Sequence, residues 1–377
     1  MKLLFLFPHF QSPGGAANVV LKFAKGLQEK DHLVEILCAK VSEEYISENP
    51  NLKFKQLHIP TSNSFFYWLF FPFWQYKINK QLKNYTGYIL FPHVLPSNWW
   101  AWIFKRKRKD NRIAWYCHEP SAFIHSKPWI NAIPNRFMKI GAKLLNPFLK
   151  NIDIALERKN DLVICNSNFT KDAYESIYKK EADGVIYPPI TIRDILCEQN
   201  KEKIILTVGR LSKFKNIDLL LNAFSVIKNI FPDYKLVITG EGEEKENLEN
   251  ITLNLGLQSS VIFTGKVSAE NLSDLYKKSR VTILCSRDEP FGLVPVESMM
   301  YYTPVIAHNS GGPRETIIHN ENGFLYTDKN ELITFINQII EMDQEKYFLM
   351  QQRCREKALQ YDITKVIEKL ESVLSTI

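Results

Sequence analysis

Two glutamates, Glu289 and Glu297, stand on either side of a Pro-Phe-Gly turn in the segment RDEPFGLVPVESM. An ionised carboxylate accepts hydrogen bonds at both oxygens. The pair therefore suits a ligand rich in hydroxyl groups, such as a sugar together with a ribose. Glu297 falls in the first two turns of the helix predicted by VPVESMMYY, where the helix dipole favours a carboxylate even without a ligand. Glu289 precedes a proline in a tight loop, and helix energetics give it no role. Upstream, GRLSKFKN places Arg210 and Lys215 between an apolar run and a helical pattern. Cations near a helix N-terminus oppose its dipole. An anion at the same place, such as a diphosphate, would reconcile them. The plain alternative is a solvated basic turn.

Other candidates occupy equivalent places, each just after an apolar run. Gly14 and Gly15 precede a helical pattern, where backbone can approach an anion. Gly240 opens GEGEE and could allow close approach of a ligand, whereas Glu241, Glu243 and Glu244 read as an ordinary acidic first helical turn. Lys266 and Val267 follow VIFTG as an edge for a base. Phe291, Gly292 and Leu293 lead into a helix, so their N–H groups would face the same anion. His118 and Glu119 follow RIAWYC; a satisfied structural histidine is the alternative there. The chain has no G-x-G-x-x-G and no G-x-x-x-x-G-K-[ST], which argues against a dinucleotide-binding fingerprint and a P-loop. No Ser-His-Asp set and no cluster with metal-ligand spacing stands out.

These loops need strands to hold them. The runs KLLFLF, LVEILCA, GYILF, RIAWYC, DLVICNS and GVIYPP, then KIILTVG, KLVITG, VIFTG, VTILCS and TPVIAH, are continuous rather than alternating. Both faces of each strand should be buried, as in a parallel sheet covered by helices. Amphipathic stretches such as NVVLKFAKGLQEK and NIDLLLNAFSVIKNI lie between them. The expectation is an α/β protein of two doubly wound, Rossmann-like domains, with ligands beyond the carboxyl ends of the strands. The boundary falls in YPPITIRDILCEQNKEK. Residues 1–190 form the first domain and 191–360 the second, and a helix over 361–377 packs back, across the hinge. The 377 residues, 45% hydrophobic and 24% charged, are ordinary for a globular protein of two domains. MKLLFLFPHF is too short an apolar run for a signal peptide and reads as a buried strand. Six scattered cysteines read as buried thiols in a reducing cytoplasm. The net charge of +7 suits an anionic partner.

VGRLSKFKNIDLLLNAF followed by EPFGLVPVESM, with GG near the N-terminus, CHEP and VICNSNFTKDAY, resembles the retaining glycosyltransferases of family 4, which have the GT-B fold. The likeness covers nearly the whole chain and is strongest from Ile204 to Phe324. FGLVPVE, TPVIAHNSGGPRETI and YCHEP are similar to mannosyltransferases that use GDP-mannose on lipid-linked glycans. Thr191 departs from the pattern, since many relatives have Asp there. The resemblance implies two Rossmann-like domains facing a central cleft. It implies that Arg210 and Lys215 neutralise the donor diphosphate, that Gly15 gives a phosphate a backbone contact and that Glu289 holds the transferred sugar. Glu297 would accept from the ribose, Lys266 and Val267 would border the base, and His118 would lie near the reacting carbon. It implies a front-face reaction with no metal and no cofactor besides the nucleotide sugar. A nucleotide-sugar epimerase of the same fold, a UDP-sugar transferase on a soluble acceptor and a non-catalytic nucleotide or membrane module are the alternatives.

Two further runs bear on the acceptor. SFFYWLFFPFWQYKINKQLK is dense in aromatics, and KRKRKDNR follows WWAWIF. Aromatics beside Lys and Arg suit peripheral contact with an anionic membrane, on its inner face. Lys105, Arg106, Lys107, Arg108 and Lys109 would attract headgroups, with Phe70, Phe71 and Trp74 inserting. The alternative is a domain core beside a solvated loop. Nucleic acid is disfavoured, because the basic run lacks a recognition helix.

Overall fold

Every apolar run assigned above to a strand carries one in the computed structural model of the protein, which describes residues 1–11, 14–59, 67, 70–105, 111–126, 130 and 136–377. The chain divides into two compact units, Met1–Pro189 with Ile363–Ile377, and Ile190–Asp362. Both are doubly wound parallel sheets, as the continuous runs require.

The first unit holds β1 (Lys2–Phe10), β2 (Leu33–Val41), β3 (Lys53–Gln56), β4 (Ile89–Pro92), β5 (Arg112–Cys117), β6 (Leu162–Cys165) and β7 (Gly184–Val185). Their spatial order is β3-β2-β1-β4-β5-β6-β7. Leu3, Leu4 and Phe5 of β1 face Val34, Glu35 and Ile36 on one side and Ile89, Leu90 and Phe91 on the other. The helix Ser97–Lys105 is apolar on nearly all sides and accordingly buried, with Trp99, Trp100, Trp102 and Phe104 in the core. Its indole N–H groups are satisfied: Trp99 donates to Asp153, Trp100 to Tyr67 and Trp102 to Asn160. WWAWIF is therefore core. The chain returns to this unit after Asp362. Its last helix, Ile363–Leu374, packs on the helix Gly15–Gln28, where His32 Nε2 lies 2.7 Å from Glu371.

The second unit holds β8 (Glu202–Val208), β9 (Lys235–Thr239), β10 (Val261–Gly265), β11 (Ser279–Leu284), β12 (Val305–His308) and β13 (Gly323–Tyr326). Their order is β10-β9-β8-β11-β12-β13. The strand order reverses between β8 and β11, so the connections leave in opposite directions there and open a crevice at the carboxyl ends. In the first unit the same reversal lies between β1 and β4. Sequence patterning missed β3 and β13, both at sheet edges.

All six cysteines are free thiols, five of them buried and Cys197 partly so. Among the described residues no helix is long and apolar enough to cross a membrane.

Candidate active site

The reversal in the second unit gathers most of the candidates. Gly209–Asn216 follows β8, and Cys285–Gly292 follows β11. Asn216 adopts a left-handed conformation, φ 48°, and its side-chain amide donates to the carbonyl of Cys285 at 3.2 Å, tying the two loops together. Across this tie Lys215 Nζ lies 2.7 Å from Glu289 Oε2, with both side chains about three-quarters buried. Burial alone would raise the Glu289 carboxyl. The Lys215 charge and its hydrogen bond outweigh that and leave the carboxyl below its ordinary value. Arg210, on the same loop, is exposed and pairs with Glu243 at 3.0 Å. The acidic turn after β9 thus supplies a partner for Arg210, which its reading as an ordinary helix start did not anticipate.

Glu289 is held in place from β12. Gly312 N–H donates to Glu289 O at 2.8 Å, and Ser310 Oγ accepts from Asp288 N–H at 2.9 Å. The approach is so close that a Cβ on Gly311 would lie 2.5 Å from Glu289 O, and one on Gly312 would lie 2.4 Å from the Phe291 Cα. Gly311 also has φ 68°, a region costly for other residues. The turn NSGGP is therefore a buttress for the carboxylate loop.

Gly292 ends that loop at φ 83° and starts the helix Leu293–Met300, which has no side-chain N-cap. Its first N–H groups are unsatisfied by the helix itself. Phe291 is buried and packs on Tyr361, ring centroids 5.6 Å apart. Glu297 is partly buried, and its Oε2 accepts from Tyr276 at 3.2 Å. Lys266 is exposed and Val267 partly buried beyond the edge strand β10. Gly240 has a packing reason to be glycine, since a Cβ there would lie 2.0 Å from Gly209 O. Its contact is with neighbouring backbone.

In the first unit, Gly14 is extended and begins the helix Gly15–Gln28, which has no side-chain N-cap and no acidic residue in its first turn. A Cβ on Gly14 would meet nothing within 4 Å, so packing does not demand glycine there. His118 follows β5 and is buried. Its Nε2 lies 3.1 Å from Nδ1 of His93, which follows β4 beside the reversal. Burial lowers the His118 pKa to about 3 and that of His93 well below its ordinary value, so both are neutral at physiological pH. His93 was missed, although PH after GYILF puts a histidine past a strand just as YCH does.

The membrane candidates separate. Lys105 is ion-paired with Asp161 and mostly buried. Phe71 and Trp74 pack against the core, while Phe70 is exposed. Lys105, Phe71 and Trp74 are thus structural, correcting the roles expected for them. Arg106–Lys109 lie outside the described residues. Among the described residues no group of three His, Cys, Asp or Glu is arranged to hold a metal ion.

Comparison with known proteins bears on the family and the fold. The family model for Glycosyl transferases group 1 matches residues 190–361, and the model for Glycosyltransferase Family 4 matches residues 13–193. The chain belongs to the glycosyltransferases of family 4, group 1. An uncharacterized glycosyltransferase of Haemophilus influenzae is 34% identical over 177 residues, covering 46% of this chain and 49% of that protein. The chain thus spans about half the length of that relative. The alpha-1,3/1,6-mannosyltransferase ALG2 of Debaryomyces hansenii is 25% identical over 379 residues, covering 84% of this chain and 76% of ALG2. Among solved structures, Anabaena HepE in complex with UDP and glucose superimposes over the full length of both chains with a TM-score of 0.80 at 20% identity. That likeness establishes the fold. In family terms, the Lys215–Glu289 pair lies within the matched group 1 segment, and His118 lies within the matched family 4 segment.

Proposed function

We propose that this protein is a retaining hexosyltransferase that moves mannose from GDP-mannose to a lipid-linked glycan, without a metal. The observation that carries the reading is the Lys215–Glu289 contact at the strand-order reversal, 2.7 Å. It sets a cation for a diphosphate beside a carboxylate for sugar hydroxyls. In the reaction the bond from sugar C1 to the diphosphate oxygen breaks, and a bond from C1 to the acceptor oxygen forms on the same face. The acceptor proton passes to the departing diphosphate. Charge grows on that diphosphate in the transition state, and Lys215 and Arg210 stabilise it there. Glu289 orients the sugar, and Glu297 accepts from the ribose. Phe291, Gly292 and Leu293 give N–H groups to phosphate, with Lys266 and Val267 beside the base. Taken by itself, the first unit offers Gly14 and Gly15 at a helix N-terminus suited to a phosphate. It also offers His118 as a neutral imidazole suited to a sugar hydroxyl, in keeping with its burial.

Mannose is favoured by the alignment with the mannosyltransferase ALG2 along most of the chain, and the lipid-linked acceptor is taken from the resemblance noted in the sequence. A lipid-linked acceptor stays in the bilayer, because each CH₂ moved into water costs about 0.8 kcal/mol. The enzyme then works peripherally, at an inner membrane face. The deciding experiment is thermal-shift screening with GDP-mannose, UDP-glucose and other nucleotide sugars, followed by NMR of the product anomer with and without EDTA. A bound donor raises the melting temperature by mass action. Stabilisation by no nucleotide sugar would sink the reading, and donor turnover without any acceptor would favour an epimerase.

A further inference from the structure

Charge is distributed very unevenly along this chain. Residues 50–152 contain 16 Lys and Arg against two acidic residues, Asp110 and Glu119, a net charge of +14. The whole chain carries +7, so the rest is net −7. This basic segment lies entirely in the first unit. Within it, two helices expose large apolar side chains.

The first is Arg136–Glu157. Ile140, Leu144, Leu145 and Phe148 are 48–76% exposed. At 3.6 residues per turn these four fall within an arc of about 140°. Arg136, Lys139, Lys143 and Lys150 fall together in an arc of about 60° flanking it. The helix has no acidic residue before Asp153, which is buried and accepts from Trp99, His125 and Tyr178. The second helix is Phe71–Leu82. Phe70, Phe73 and Tyr76 are 50–71% exposed at its start, and Lys77, Lys80 and Lys83 are exposed along it and just beyond. Among the described residues none of these seven cations is paired with a carboxylate.

Both helices pack against Ser97–Lys105, and Trp99 touches each. Its ring lies 5.8 Å from that of Phe71, and its indole N–H donates to Asp153 at 2.6 Å. The buried tryptophan helix thus seats the two amphipathic helices on the same layer of the first unit. Exposed Leu and Phe beside unpaired Lys and Arg is the composition of a helix lying in a bilayer interface, apolar side chains at acyl depth and cations among anionic headgroups.

We propose that this two-helix face of the first unit docks on the surface of an anionic lipid bilayer, with Ile140, Leu144, Leu145 and Phe148 inserting at its centre. The charge complementarity selects this partner: an apolar protein surface would not call for cations without acidic neighbours. The proposal refines the peripheral location given above by naming described residues that the fold leaves uncovered; Arg106–Lys109 lie outside the described residues. It does not depend on the donor or on the reaction.

The experiment is co-sedimentation of the full chain with vesicles of phosphatidylcholine, with or without phosphatidylglycerol, over a salt series. The parent is expected to pellet with the phosphatidylglycerol vesicles and to release as salt rises, as screened attraction requires. Leu144→Glu with Phe148→Glu should cut the bound fraction at least about tenfold, since two inserting side chains are lost and two charges are repelled. Leu196→Glu, at a residue 92% exposed in the second unit, should bind like the parent, and so show that removing any exposed leucine is not enough. All three proteins should melt alike, because every altered side chain is exposed. Failure of the parent to bind phosphatidylglycerol vesicles overturns the proposal. So does a double variant that pellets like the parent at the same salt, or an equal loss in Leu196→Glu. None of these results bears on whether the protein transfers a sugar.

Discussion

Replacing Lys215 by Ala separates a catalytic charge from a structural one. The Lys215–Glu289 pair is 2.7 Å long, but each side chain keeps about a quarter of its surface in solvent. Pairs screened to that degree contribute roughly 1 kcal/mol or less to stability. For a unit of this size such a loss lowers the melting temperature by only about 2–4 °C. The transition state is a different matter. Losing one preorganised charge partner there costs about 100-fold or more in turnover, on the order of 3 kcal/mol. Lys215→Ala should therefore lose two orders of magnitude in kcat while melting within a few degrees of the parent. The assay is release of nucleoside diphosphate under saturating donor and acceptor, with a thermal melt of the same preparation. If Lys215 and Glu289 act on one donor, as proposed, adding Glu289→Ala to Lys215→Ala should cost much less than Glu289→Ala alone. Turnover within about threefold of the parent would refute the charge assignment, since removal of a transition-state charge partner cannot be that mild. Fully additive losses would refute the shared site.

Other perturbations test neighbouring parts. Glu289→Ala should abolish transfer and leave nucleoside diphosphate affinity nearly unchanged, whereas Glu297→Ala should weaken the nucleotide itself; calorimetry on both variants decides, and equal effects contradict the division. Gly312→Ala would put a Cβ 2.4 Å from the Phe291 Cα, an overpacking cost of about 1–3 kcal/mol, and should cripple turnover by displacing Glu289 while the unit stays folded by circular dichroism. His118 has a pKa of about 3 in the fold against about 6.5 unfolded. Its stabilising contribution is complete above pH 6.5 and falls as the pH drops, because the unfolded chain takes the proton first. By pH 5 the loss is about 2 kcal/mol, so His118→Gln should lessen the fall in melting temperature between pH 7 and 5, with His93 keeping its own share, and an unchanged slope would deny the burial of a neutral imidazole.

Strands buried on both faces were legible as short, continuous apolar runs between turn residues, although WWAWIF, a run of the same kind, is a buried helix. The two that escaped are edge strands. KFKQ at β3 alternates exposed and half-buried positions, and GFLY at β13 is four residues behind a loop. Candidate residues were legible through one rule, that ligands gather past the carboxyl ends of parallel strands. That rule reads positions one strand at a time. It found Arg210, Lys215 and Glu289 but could not pair them, because Lys215 and Glu289 are 74 positions apart and meet only once β8 lies beside β11. For the same reason nothing in NSGGP showed that its glycines meet the Glu289 loop. Aromatic and basic runs were the least legible part. A run says nothing about which of its residues face the core, and WWAWIF, Phe71 and Trp74 all turned inward.

The second unit holds its two cations in different ways, and the difference has a chemical logic. Arg210 and Glu243 are both more than half exposed, so their contact is weak and easily exchanged for a bidentate hold on a phosphate. Lys215 has less freedom to move. It is about three-quarters buried and its partner loop is clamped by Gly312. A diphosphate arriving here would therefore meet one cation that can swing to it and one that is already in place. A fixed charge costs no reorganisation at the moment a bond breaks, which is where electrostatic catalysis gains most. The mobile charge contributes on the way in. On this argument the short sequence from Gly209 to Asn216 does both jobs because its far end is tied to β11 and its near end is not.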